Sequence, residues 1–288
     1  MNRGRFIYDY ARCLSCGAIY LKPPTPTPSF SDIYGPDYPA WTKNKARLFS
    51  RRLLIDLPQV RAVRRFKKRG KLLDVGCGMG TFLARLKREE GWDAEGIEPS
   101  SDGCHLAREH YGLSLWEGML EEAPFDAHSM DVITLWDVLE HAENPRSLLQ
   151  AAFRLLKKDG VILLSMPNIG SVVYPGFKGR WHFLQPPYHV CHFSAKRLVS
   201  LLEEEGFDML SLYTTLSSLY ESVFCSLQLV LRRGEERVQT PLQKIRKKIM
   251  AFLRIPLGLT ACLMATPLLL IAHVCKRGDR MIVIARKP

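Results

Sequence analysis

Residues 71–100, KLLDVGCGMGTFLARLKREEGWDAEGIEPS, constrain this chain more than any other stretch. Leu72, Leu73 and Val75 form a short apolar run of the kind a strand buried on both faces requires. Gly76, Gly78 and Gly80 follow in G-x-G-x-G spacing. Without Cβ atoms the backbone there can turn sharply and come close to a ligand. Thr81 to Arg88 reads as a helix with Phe82, Leu83 and Leu86 on one side. Its first turn offers N–H groups to a polar or anionic ligand. A second strand, Ala94 to Ile97, ends in Glu98, 18 residues after Gly80. An acid at that place can accept hydrogen bonds from both hydroxyls of a ribose. The expected ligand therefore carries a nucleoside.

The third glycine comes one residue too early for the nicotinamide pattern G-x-G-x-x-G. Asp74 instead enters the loop as D-V-G-C-G. This resembles the first motif of the class I S-adenosylmethionine-dependent methyltransferases, the Rossmann-like methyltransferase superfamily. The resemblance implies S-adenosylmethionine as cofactor. It implies that Asp74 helps hold the methionine end and Glu98 the ribose, with Gly76, Cys77, Gly78 and Gly80 forming the loop between them. In that family the stretch at Glu117 to Ala123 meets the adenine. Many relatives carry an acid where this chain has Met119, so backbone groups around Met119 and Leu120 are expected to replace that contact. Trp136-Asp-Val-Leu-Glu-His141 resembles the segment that closes the cofactor pocket. It adds Trp136 and Asp137 to the cofactor set and His141 to the catalytic candidates, with a helix-end packing role for His141 as the alternative.

Strands and helices continue to alternate after Glu98. Ser100 is a candidate N-cap for a helix to Tyr111, and Leu113–Trp116, Met130–Leu135, Gly160–Ser165 and Phe207–Thr215 read as strands. Pro145 to Lys157 reads as a helix, and Met281 to Arg286 as the antiparallel strand that closes the family's sheet. The expected fold is α/β: a doubly wound, mostly parallel seven-stranded sheet with its ligand at the carboxyl ends of the strands. A small N-terminal β element and a helical insertion before the last strand complete it. The expected regions are 1–40, 41–70, 71–215 with 279–288, and 216–278.

In residues 1–40, Phe6–Tyr10 and Ala18–Leu21 can pair around Cys13-Leu-Ser-Cys16-Gly17. A C-x-x-C pair is half of a four-ligand zinc site. Many methyltransferases of this type carry the full ribbon; here the second pair is missing, so a remnant hairpin with free thiols stands beside the zinc reading. PPTPTP then reads as a stiff linker, and Tyr34-Gly-Pro-Asp-Tyr38 resembles a tyrosine motif that follows the ribbon in relatives. Residues 42–69 have a helical pattern, expected to break at Pro58.

The net charge of +12 is divided unevenly. Residues 1–71 and 241–288 are strongly basic, while 72–240 are acidic. A nucleic-acid binder with a basic domain would not look like this, and no aromatic RNA-binding motif accompanies the charge. The basic flanks point to an anionic membrane surface or a phosphorylated substrate. The eight cysteines are scattered rather than set in a disulfide framework, as suits a reducing cytosol, and no apolar leader is evident at the N-terminus.

The loop from Met166 to Phe193 is too long for a connector. Its aromatics, prolines and three histidines suit an acceptor-binding lid. His189 and His192 are catalytic candidates, since a hydroxyl acceptor must lose its proton. No metal is expected, because no acid accompanies His182, His189 and His192 in the sequence.

Residues 216–278 exceed the short hairpin the family needs at this place. Gln239 to Arg254 reads as an amphipathic helix, with Lys244, Lys247 and Lys248 opposite an apolar face. Ile255 to Val274 follows without a formal charge, long enough to span a bilayer. A single crossing would strand Met281–Arg286 on the wrong side of the membrane from its sheet. A helical hairpin in the interface, kinked at Pro256 and Pro267, satisfies both constraints. A cap buried on the protein is the alternative. The sequence thus predicts a cytoplasmic methyltransferase peripheral to the membrane, acting on a small-molecule, lipid-linked or glycan-precursor acceptor. A non-catalytic methyltransferase-like binding module in a membrane assembly is the competing class.

Overall fold

A computed structural model describes residues 8–22, 57–231 and 241–288, without the side chains of Leu57, Leu231 and residues 241–254. The 23–28 linker, the Tyr34–Tyr38 motif and residues 41–56 lie outside the described residues.

Seven strands form one sheet: β3 (Gly70–Val75), β4 (Trp92–Glu98), β5 (Trp116–Glu117), β6 (Met130–Trp136), β7 (Leu156–Pro167), β9 (Asp208–Thr214) and β10 (Arg280–Arg286). Their order is β5-β4-β3-β6-β7-β10-β9. The first five are parallel. β10 runs antiparallel between β7 and β9, pairing Val283 with Leu164 and with Leu212. Successive apolar residues explain the two-faced burial. Leu72, Val132, Leu163 and Ile284 meet α1 (Leu57–Phe66), α2 (Thr81–Leu86) and α3 (Ser101–Tyr111) on one face. Leu73, Ile133, Leu164 and Val283 meet α4 (Pro145–Leu155) and α6 (Ala195–Glu204) on the other. Asp74 stands beside Gly96 and Thr134 in this register. The motif acids are therefore gathered at the carboxyl ends of β3 and β4.

Several sequence expectations change. The described part of α1 begins at Leu57, so the break expected at Pro58 turns on residues 41–56, which lie outside the described residues. The strand expected at Leu113–Trp116 shrinks to Trp116–Glu117. Leu113 and Leu115 leave the ladder and pack against the glycine-loop side of the core. The chain passes from α4 to β7 at Leu156, two residues before the expected helix end.

The N-terminal hairpin, β1 (Tyr10–Arg12) and β2 (Ile19–Leu21), is not a separate unit. It takes a third strand, β8 (Cys191–His192), from the long loop. The loop itself carries α5 (Tyr174–Phe177) and several tight turns. Its aromatics face inward: Trp181 and Phe183 share a third core with Ile19, Leu219, Val223 and Leu269. The insertion folds as α7 (Leu216–Leu231) and α8 (Pro241–Val274). α8 runs as one helix through Pro256 and Pro267, joining the stretches expected as an amphipathic helix and an apolar segment. Packing against α7 accounts for this. Gly258 lets the helices approach so closely that a Cβ there would meet the Phe224 ring at 2.6 Å. The Tyr220 hydroxyl donates to Thr266 Oγ1 at 3.2 Å.

Candidate active site

The glycine loop is preorganised by backbone geometry. Gly76, Gly78 and Gly80 all have positive φ, at 64°, 58° and 73°. Two of these glycines also make room for protein. A Cβ on Gly76 would lie 2.7 Å from Val138 Cγ2, and one on Gly80 2.5 Å from Leu113 Cδ1. The Cys77 amide donates to the Ile97 carbonyl at 3.0 Å, tying the loop to β4. The Cys77 thiol is pushed well above its usual pKa, first by burial and then by Asp74 and Glu98, so it stays protonated.

Glu98 is the loop's anchor. Its Oε2 accepts the Gly78 amide at 2.8 Å and its Oε1 the Ser100 amide at 2.9 Å. Burial raises its pKa and these two amides oppose the rise. A carboxylate has about four acceptor sites, so two remain for vicinal hydroxyls. Asp74 is buried, and its Oδ1 accepts the Thr134 hydroxyl at 2.6 Å. Met119 is exposed and Leu120 buried, opening a turn over Leu120–Glu122. At the carboxyl end of β6, Trp136 Nε1 is a buried donor without a hydrogen-bond partner, and the indole packs edge-on to Phe82 at 5.9 Å. A positive-φ loop, an acid with spare acceptors and an orphaned donor fit a bound nucleoside. Asp137 sits at φ 56°. It is engaged by protein: Ser165 Oγ donates to Oδ1 at 3.0 Å, and the Arg280 guanidinium lies 3.1 Å from Oδ2.

Past β6 the chain makes a tight turn, Leu139–His141. His141 and His189 stack edge to face at 4.8 Å. Each Nδ1 meets a backbone carbonyl, that of Tyr188 at 2.8 Å and of Phe183 at 2.7 Å. A carbonyl only accepts, so both Nδ1 atoms carry the proton and both Nε2 atoms present lone pairs in the neutral rings. Burial lowers both pKa values, and each ring is neutral at pH 7. Glu140 lies beside them, fully buried, with neither carboxyl oxygen hydrogen-bonded. Burial, then the nearby Asp137, pushes its pKa well above the carboxylate range. No acid accompanies His182, His189 and His192 in the sequence, but Glu140 lies beside His189 and His141 in space. Glu140, His141 and His189 bring one ligand atom each to within 4.8 Å of one another, a set a divalent cation can take. Glu221 also approaches His182, at 3.7 Å.

His192 adjoins this pair: its ring is fully enclosed, packs against His189 at 6.1 Å as well as Tyr10 and Trp181, and among the described residues has no hydrogen bond at either nitrogen. Burial, then His141, lowers its pKa to about 4.

Sequence reading missed the group that locks the loop. Asp279 Oδ1 accepts from Trp181 Nε1 at 2.6 Å, Ser171 Oγ at 2.8 Å and Ser222 Oγ at 3.0 Å. The His182 amide donates to Ser226 Oγ at 2.9 Å. The loop is thereby bound to α7 and to the start of β10. The only local signal was an acid after Gly278, which also suits an ordinary turn.

Comparison with known proteins agrees with this geometry. The profile of the family described as "Methyltransferase domain" matches residues 46–212. The chain is 38% identical over 104 residues to the ubiquinone biosynthesis O-methyltransferase of Pectobacterium atrosepticum, covering 34% of this chain and 43% of that one. With the enzyme of the same name from Glaesserella parasuis it shares 31% over 114 residues, covering 36% and 48%. The chain thus spans less than half the length of these relatives. Phosphoethanolamine N-methyltransferase 2 of Haemonchus contortus, solved with S-adenosylmethionine, superposes with a TM-score of 0.59 at 15% identity. That likeness covers 100% of this chain and 70% of the other, and it concerns the fold. The chain belongs to the class I S-adenosylmethionine-dependent methyltransferases, with S-adenosylmethionine as its cofactor.

Proposed function

We propose that this protein methylates a hydroxyl on a small lipid-linked or glycan-precursor acceptor at a cytoplasmic membrane surface. Bound S-adenosylmethionine supplies an electrophilic methyl group. Asp74 would hold its methionine end and Glu98 its ribose, with the Gly76–Gly80 loop between them. The acceptor hydroxyl must lose a proton as it reacts. The neutral Nε2 of His141 or His189 takes that proton. The relatives named for ubiquinone biosynthesis support a hydroxyl on a lipid-soluble ring as the acceptor class.

One observation carries the membrane part. The outer face of α8 is apolar and open: Leu263, Met264 and Val274 are 73%, 77% and 79% exposed. Residues 241–278 contain seven Lys and Arg and no acid. An exposed apolar face with basic ends suits an anionic bilayer surface better than water.

Flotation with sealed anionic vesicles tests this reading. Wild-type protein should float, salt should weaken it, and Lys244→Glu/Lys247→Glu/Lys248→Glu should weaken it further. Protease sites before Leu219 and after Arg280 should be cut from one face of the vesicle. Cleavage from opposite faces would contradict an interfacial hairpin, and failure of the wild type to float would contradict the membrane reading altogether.

A further inference from the structure

A cavity of about 450 Å³ opens where the N-terminal hairpin, the segment after β7 and the segment leaving α8 meet. Three cations line it: Arg12 from β1, Lys178 after α5, and Arg277 after α8. Among the described residues no carboxylate lines it. All three side chains are exposed, and among the described residues none makes an ion pair. Three like charges around one hollow repel each other, so an anionic occupant would relieve a cost the protein leaves uncompensated.

The three are held on fixed backbone. Arg12 is paired with Ile19 in the hairpin. Lys178 has φ 43°, a conformation that side-chain-bearing residues keep only when their surroundings hold them. The Arg277 carbonyl accepts the Val172 amide at 3.2 Å, and its amide donates to Ala272 at 2.8 Å. Two guanidinium forks and an ammonium are the donor types that phosphate oxygens take. Arg277 also follows the exposed Val274 by three residues. The end of the apolar α8 and a cation of the cavity are thus three residues apart in the chain.

We propose that this cavity holds the phosphate of a membrane lipid headgroup while the lipid's acyl chains lie against α8. The inference rests on the interfacial reading above and names its headgroup site. A phosphomonoester such as phosphatidate, with about two negative charges and unhindered oxygens, should bind best.

The test uses the full chain and phosphatidylcholine vesicles containing either phosphatidate or phosphatidylserine. The variant is Arg12→Glu/Lys178→Glu/Arg277→Glu. The charge-matched control is Lys87→Glu/Arg108→Glu/Lys158→Glu, three exposed cations outside the cavity. Melting and S-adenosylmethionine binding verify folding. If the charge reversal misfolds, the Arg12→Gln/Lys178→Gln/Arg277→Gln set replaces it. Wild type should prefer phosphatidate. The cavity variant should lose roughly a hundredfold in affinity, at about tenfold or less per cation, and its preference, while the control keeps both. Equal losses in variant and control, or no loss in either, would overturn the proposal. Calorimetry with inorganic pyrophosphate separates the sources. Pyrophosphate binding abolished by the variant, with vesicle binding untouched, would make this a site for a free phosphate and overturn the lipid assignment. Wild type that binds no vesicle would instead sink the interfacial reading, and this proposal with it.

Discussion

The cofactor side and the acceptor side of this site are built by opposite means. Around Glu98 the polar groups are met locally: both its oxygens accept amides from residues at most 20 positions away. Around His189 the polar groups come from distant segments and several remain unmet. Glu140 lacks partners at both oxygens, and His192 at both nitrogens. Buried groups without partners are rare and costly. A loop satisfied by its own backbone can stand ready for a cofactor that every member of the family shares. A cluster left incomplete marks where a particular acceptor, proton or cation must complete it.

The largest effect should come from the incomplete side. A positioned base contributes about 10²–10⁴-fold, so His189→Ala or His141→Ala should cut kcat by about that range. S-adenosylmethionine affinity should stay unchanged. The acid limb of the pH–rate profile should fall below the ordinary histidine value of 6.5, because burial lowers both pKa values. Normal turnover in both variants would reduce the cluster to packing. Activity lost on chelation and restored only by a divalent cation would reassign Glu140, His141 and His189 as metal ligands.

The cofactor side should respond in binding rather than turnover. Glu98→Ala removes charged acceptors whose hydrogen bonds contribute roughly 1.5–3 kcal/mol each, so calorimetric affinity for S-adenosylmethionine should fall about tenfold or more. Unchanged affinity would erase the contrast between the two sides.

The smallest effect is one of stability. Burial, opposed by Ser171, Trp181 and Ser222, raises the Asp279 pKa from 3.8 to about 6. The folded state then holds the proton more tightly than the unfolded one. The contribution of this group is fully present below about pH 4 and is lost as pH rises through about 6. Asp279→Asn keeps an acceptor for the three donors and cannot ionise. Its melting temperature should gain on the wild type by a few degrees as pH rises from 4 to 7. Parallel melting curves across that range would show that folding does not raise the Asp279 pKa.

What was legible in the sequence follows the same division. The Gly76–Glu98 unit could be read because Glu98 meets amides within 20 residues: spacing fixes the turn, and β-strand register fixes the acid. The sheet was legible because apolar runs with two buried faces have few other folds. The histidine cluster was not, since Glu140 and His189 are 49 residues apart and meet only when the loop folds over β6. Trp181 and Phe183 misled as acceptor aromatics because burial in the third core depends on Leu219 and Leu269, which belong to the insertion. The prolines of α8 suggested kinks within a helix that runs through both and packs against α7.

The most direct test of the central claim is transfer of a labelled methyl group from S-adenosylmethionine into a membrane lipid extract, run beside a lipid-free aqueous extract. The account expects label in a lipid-soluble product with the wild type and little with Glu98→Ala at limiting cofactor. Label confined to water-soluble products would contradict the lipid-linked acceptor, and no label in either extract despite tight S-adenosylmethionine binding would contradict the enzyme reading itself.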